Sequence, residues 1–168
     1  MWLKLGIMKC LTLTRREKLI EIKKLTIEDV DKHFDSLCKL IDICMDSAFG
    51  SVESDYAKSK VSVMKEYIND GSAHIYFAEV NGDMLGFVWA YPVAKPNGKN
   101  LHIAYISVLP EHQRKGIAAK LIKVIENDAK EGKFDTVELF VDFDNFAAKQ
   151  LYDSLDFKAE RLYMIKDI

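Results

Sequence analysis

The sequence predicts an α/β (α+β) domain: a mixed, mostly antiparallel sheet of six to seven strands with helices on both faces. Three observations carry this reading. Stretches with apolar residues alternating at period two interleave along the chain with stretches at helical spacing. One stretch, Leu101 to Leu109 (LHIAYISVL), is apolar almost throughout, as a central strand covered on both faces is. Asn81-Gly82-Asp83 lies between two apolar runs, which is a hairpin signal and makes those neighbours antiparallel.

Taken in order, residues 19–26 (LIEIKKLT) alternate and read as a strand. Thr26 then starts a helix as a capping residue, with Val30, Phe34, Leu37, Ile41 and Met45 at helical spacing. A weaker helix covers about 54–69 and ends at Asn69-Asp70-Gly71. HIYFAEV and MLGFVWAYPV form the hairpin, KPNGKN turns the chain, and the strand at 101–109 follows. The next helix carries Ile117, Leu121, Ile122, Ile125 and Ala129 on one face. TVELFVDF (136–143) reads as a strand, NFAAKQLYDSL (145–155) as a short helix, and FKAERLYMIKDI as a closing strand. The order β-α-α-β-β-β-α-β-α-β packs helices against a mixed sheet.

The 168 residues suit one domain, over 19–168, with 1–18 standing outside it as an extra edge strand or an arm. With 49% hydrophobic and 30% charged residues the composition is that of a globular domain, and a net charge of −2 offers no global attraction for nucleic acid. Lys4 and Lys9 interrupt the apolar start, and no run is long enough to span a membrane. Cys10, Cys38 and Cys44 have no paired spacing and read as reduced thiols rather than metal ligands. A cytoplasmic location, with no membrane partner and no metal, is expected.

Chemistry concentrates in VLPEHQRKGIAAKL (108–121), where a strand meets a helix through a polar, glycine-containing turn. Unpaired N–H groups and the positive end of the helix dipole suit an anion, above all a phosphate. Gly116 allows close approach to the backbone, Ala118 keeps the first turn low, and Arg114 and Lys115 add cationic reach. Neither the G-x-x-x-x-G-K-[ST] nor the G-x-G-x-x-G pattern is present, so a P-loop and a dinucleotide fold are not indicated.

A second constellation narrows the ligand. Asn145 stands at a strand-to-helix joint, Ala148 three residues on, Tyr152 at plus seven and Phe157 at plus twelve. With Gln113-x-x-Gly116-x-Ala118 ahead of it, the chain resembles the GNAT superfamily of acyl-CoA-dependent N-acyltransferases. The resemblance runs from about Leu19 to Ile168 and is sharpest from Leu101 to Phe157.

The resemblance implies a GNAT-like splayed sheet and the use of acetyl-CoA with an amine acceptor of unknown identity. The backbone of Ile106, Ser107 and Val108 would pair with the pantetheine arm where this strand parts from 136–143. N–H groups of Gln113, Arg114, Lys115, Gly116, Ile117 and Ala118 would hold the pyrophosphate. Asn145 would bond the pantetheine side, and Tyr152 would aim its hydroxyl at the thioester sulfur. Beside a thiol of pKa ~8.5, a tyrosine at ~10 either needs a lowered pKa or acts as a hydrogen-bond donor to developing charge. For the amine proton Glu79, His102, Glu138 and Asp142 are candidate bases, and an amine of low pKa would need none.

Two departures from the family pattern stand out. Asp156 occupies the usual glycine before Phe157, and the chain after Phe157 has room for one strand rather than two. The sheet would then be short, or residues 1–18 or a second copy, as a homodimer, would complete it. A non-catalytic acyl-CoA-binding or regulatory domain is the alternative function, and an unrelated nucleotide-phosphate module is disfavoured by the missing P-loop.

Overall fold

A computed structural model describes residues 19–50, 55–96 and 98–166. The expected extra edge strand or arm at 1–18 lies outside the described residues. The elements are β1 (Glu21–Lys24), α1 (Ile27–Lys32), α2 (Phe34–Phe49), α3 (Tyr56–Asn69), β2 (His74–Val80), β3 (Asp83–Lys95), β4 (Gly98–Val108), a 3-10 turn (Pro110–His112), α4 (Ile117–Glu131), β5 (Thr136–Leu139) and α5 (Phe146–Ser154).

Local chemistry sets the joints. Thr26 and Asp29 form a reciprocal capping box at the start of α1, which satisfies backbone donors that the helix leaves open. The single long helix expected after it is bent at His33 (φ −112°, ψ 21°), whose buried ring packs against Phe77 at 5.6 Å. Asn81 and Gly82 both hold positive φ, 55° and 87°, the backbone a two-residue hairpin needs.

The sheet runs β1-β2-β3-β4-β5, antiparallel except for the parallel β4–β5 pair. Its two faces carry separate cores. Val30, Leu37, Leu40, Ile41, Val61 and Met64 of α1–α3 pack with Phe77 and Phe87 on one face. On the other, the predicted stripe Ile117, Leu121, Ile122, Ile125 and Ala129 of α4 packs with Val88, Leu101 and Ile103. Helices therefore cover both faces, as expected.

The strand count differs: among the described residues there are five strands, not six to seven. β5 stops at Leu139 rather than reaching residue 143, because β4 no longer lies beside it. Trp89 faces Tyr105 while Ala90 faces Ile103, so Ala104 is an extra residue in β4, and a bulge of this kind bends its strand. The β4–β5 ladder ends at the same place, Ile103↔Leu139. The closing strand is also not formed: residues 157–166 have no strand pairing. Leu162, Tyr163, Met164 and Ile165 are all exposed, and with apolar side chains on both sides of that segment, one more edge pairing would leave half of them in water.

Candidate active site

Where β4 and β5 part, the second half of β4 keeps one edge open. The Leu109 N–H donates to the Leu85 carbonyl at 2.9 Å, so antiparallel alternation turns the polar groups of Ser107 toward Phe87 and those of Ile106 and Val108 into the gap. Of the three residues expected to line it, Ile106 and Val108 thus face the opening, and Ser107 faces its neighbour strand. The open groups have local partners: the Ile106 backbone hydrogen-bonds the Cys44 sulfur, and Gln113 Nε2 donates to the Val108 carbonyl at 3.1 Å.

The loop beyond β4 is built to leave donors free. Arg114 (φ 58°) and Gly116 (φ 75°) are both left-handed, a backbone that gathers successive N–H groups into an anion-holding concavity. The Lys120 N–H closes the first helical bond onto the Gly116 carbonyl. N–H groups from Arg114 to Ala119, which include Lys115, Ile117 and Ala118, have no backbone acceptor among the described residues. A Cβ added at Gly116 would meet no heavy atom within 4 Å, so space stands open over the cradle. Gln113 differs from this set, since its N–H is bonded to the Pro110 carbonyl and its side chain braces the loop. Lys115 folds back, with Nζ 2.8 Å from the Glu111 carbonyl, while Arg114 is exposed.

On the far side of the gap, Asn145 caps α5, its Oδ1 accepting the Ala148 N–H at 3.1 Å. That bond explains the three-residue spacing and leaves the amide nitrogen as the group available to a ligand. Asn145 also lines a cavity of about 520 Å³ with Ser47, Asp142, Phe143 and Asp144.

Tyr152 is buried on the sheet side of α5. Burial, with a smaller effect from nearby Cys44, pushes its hydroxyl up to about 12. Its backbone ends the helix: the Phe157 N–H returns to the Tyr152 carbonyl at 3.0 Å and the Asp156 N–H to that of Asp153 at 3.2 Å. This is a Schellman turn, which requires a left-handed residue. Asp156 supplies it at φ 63°, so the departure from glycine leaves the turn intact.

The candidate bases separate. Glu79 forms an ion pair with Lys23 at β1. Asp142 is exposed at the cavity. Glu138 is bonded by Lys95 and by Asn100 Nδ2 at 2.7 Å; burial raises its carboxyl, but these partners outweigh that and hold it below the ordinary range. His102 is 7% exposed, one pair before the ladder ends, with Nδ1 3.5 Å from Glu138 Oε1. Burial drives its pKa below the ordinary value, and Glu138 offsets this only in part.

Two groups of residues escaped the sequence reading. Cys44 reaches the gap from α2, but without a paired cysteine spacing it read only as a reduced thiol. Trp89, Tyr91 and Tyr105 read as strand aromatics, although their alternation along β3 already placed Trp89 and Tyr91 on one face. Among the described residues no cluster of three His, Cys, Asp or Glu could hold a metal ion, and no helix is long and apolar enough to cross a membrane.

Known proteins share this fold. A model of the acetyltransferase (GNAT) family matches residues 35–157. The chain is 30% identical over 98 residues to N-acetyltransferase 8 of Homo sapiens, covering 57% of this chain and 43% of that protein. It is 38% identical over 79 residues to mycothiol acetyltransferase of Tsukamurella paurometabola, covering 47% and 27%. The chain thus spans less than half the length of these curated relatives. A predicted acetyltransferase from Clostridium acetobutylicum, solved with acetyl-CoA, superposes with a TM-score of 0.72 at 16% identity, covering 89% of this chain and 96% of that one. An aminoglycoside acetyltransferase from a soil metagenome, in complex with trehalose, gives 0.70 at 19% identity over 90% and 97%.

Proposed function

The chain belongs to the acetyltransferase (GNAT) family, and from that premise we propose that it transfers the acetyl group of acetyl-CoA to a primary amine within one ternary complex. The observation that carries the reading is that the free N–H groups of 114–119 and the opening of β4 from β5 adjoin the same stretch of β4. An anion cradle next to an unpaired strand edge fits a ligand with a pyrophosphate and a long amide-bearing arm. Acetyl-CoA supplies the activated acyl group and a thiolate leaving group.

The chain's own residues then have distinct tasks. Arg114 to Ala118 hold the phosphates through backbone N–H groups, and Ile106 and Val108 orient the arm. The Tyr152 hydroxyl, held near 12, would lose about 4–5 kcal/mol by giving its proton outright to a thiolate of pKa ~8.5. It acts instead as a fixed hydrogen-bond donor to charge growing on sulfur.

A lysine-like amine at pKa ~10.4 is neutral at pH 7 only at a cost of about 4.6 kcal/mol. It sheds one proton before attack and a second as the N–C bond forms and the C–S bond breaks. His102, kept neutral by burial, takes the second proton and passes it to solvent, with Glu138 positioning its ring. The leaving thiolate is protonated from water.

CoA release in the presence of acetyl-CoA and an amine panel tests the reading, and acetyl-CoA binding without release with any amine would favour a non-catalytic binding domain. The exposed segment Leu162–Ile165 supports a homodimer, which sedimentation would detect. A cytoplasmic location is supported by the unpaired Cys38 and Cys44.

A further inference from the structure

The face of the sheet beneath α2 and α3 carries a line of rings, of which the reading above gives a task only to His102. Tyr67, Trp89 and Tyr105 lie in succession, with centroids 5.6 and 5.4 Å apart. Beyond the bulge Tyr91, His102 and Phe140 continue the line at 5.3 and 5.0 Å. His102 therefore sits between two rings, and both reach solvent: Tyr91 is 41% and Phe140 87% exposed. Trp89 is 5% exposed, and its Nε1 is buried with no hydrogen-bond partner among the described residues.

An exposed phenyl ring against a buried imidazole at the mouth of a reaction centre is costly to leave in water, and its π face suits another flat ring. Charge argues the same way. Glu138, the carboxylate on this line, is bonded by Lys95 and Asn100, so it has little left for a second cation. Asp142 and Asp144 at the cavity mouth can meet one ammonium group on its way in. A chain of several amines therefore gains little from Glu138 along the rings.

Resting on the acetyltransferase reading, we infer that the acceptor is a primary amine joined by a short chain to an aromatic ring. The ring lies against Tyr91 and Phe140, and the amino nitrogen reaches His102.

The test compares kcat/KM for 2-phenylethylamine, n-propylamine and spermidine, with acetyl-CoA binding measured separately by calorimetry. The expected result is a preference of about tenfold or more for 2-phenylethylamine over both others, the scale of one aromatic contact. Phe140→Ala, a change at an exposed position, is expected to raise the KM for 2-phenylethylamine about tenfold while acetyl-CoA Kd stays the same. Equal use of the three amines, a preference for spermidine, or an unaltered KM in Phe140→Ala overturns the inference. Acetyl-CoA binding with no turnover of 2-phenylethylamine also overturns it and leaves the acetyl-CoA site standing. Loss of acetyl-CoA binding itself overturns the family-based reading, and this inference with it.

Discussion

The Tyr152 carbonyl accepts the Phe157 N–H at 3.0 Å, and the two rings lie 5.7 Å apart. One turn thus ends α5 and also packs a second ring against the buried Tyr152. The hydrophobic contact between these positions is the usual partner of the Schellman bonds. Phe157→Ala should therefore lower kcat several-fold through looser placement of Tyr152, with acetyl-CoA affinity unaltered. Phe157→Leu, which keeps apolar bulk there, should recover most of the loss; equal kcat in all three proteins would separate the turn from catalysis.

Asp156 stands between them at φ 63°, where a side chain costs energy that glycine does not. Asp156→Gly should raise stability by about 0.5–1 kcal/mol, read as a higher midpoint in urea unfolding. A lower midpoint would mean that the aspartate side chain stabilises the turn by some other contact.

Tyr152→Phe removes the hydroxyl and keeps the ring. Turnover should fall at least about tenfold, and acetyl-CoA should bind as before. Because the hydroxyl is held near 12, any loss of activity between pH 8 and 10 must belong to another group. Undiminished turnover in the variant would remove Tyr152 from the reaction.

Gly116→Glu tests the cradle. Its added side chain meets open space rather than protein, so the domain should fold, at a strain of about 1 kcal/mol for a left-handed non-glycine residue. The new carboxylate faces the phosphates, and acetyl-CoA affinity should drop by at least about a hundredfold. Retained affinity would mean that the phosphates lie elsewhere.

His33 and His102 both have pKa values pushed down by burial. Their unfolded forms bind a proton first on acidification, so stability is complete above the unfolded value of ~6.5 and is lost as pH falls through the lower folded values. Unfolding midpoints should decline over that acid range, and catalysis should decline with them as His102 charges. His33→Phe, which keeps the ring stacked on Phe77, should flatten the stability profile and leave the acid limb of kcat in place. A profile as steep as before would shift the origin of acid lability away from His33.

By itself the sequence determined whatever depends on neighbours in the chain. Thr26 with Asp29, Asn81 with Gly82, the glycine turn at 116 and the Asn145–Ala148–Tyr152 spacing each encode a local backbone geometry, because their partners lie within a few residues. Of these, the 113–118 loop and the Asn145–Ala148–Tyr152 spacing pointed to the family whose model matches residues 35–157. Tertiary structure decided what depends on partners far away in sequence. The bulge at Ala104 bends β4 away from Leu139, and that ended β5 early and opened the gap. The apolar closing segment, whose chain neighbours encode no turn back onto the sheet, formed no strand pairing among the described residues. Glu138 and His102, equal candidates on paper, parted once Lys95 and Asn100 occupied the carboxylate and burial kept the imidazole neutral. Side chains from β3, β4, α3 and the segment just after β5 became one aromatic line only when the sheet brought them onto a common face.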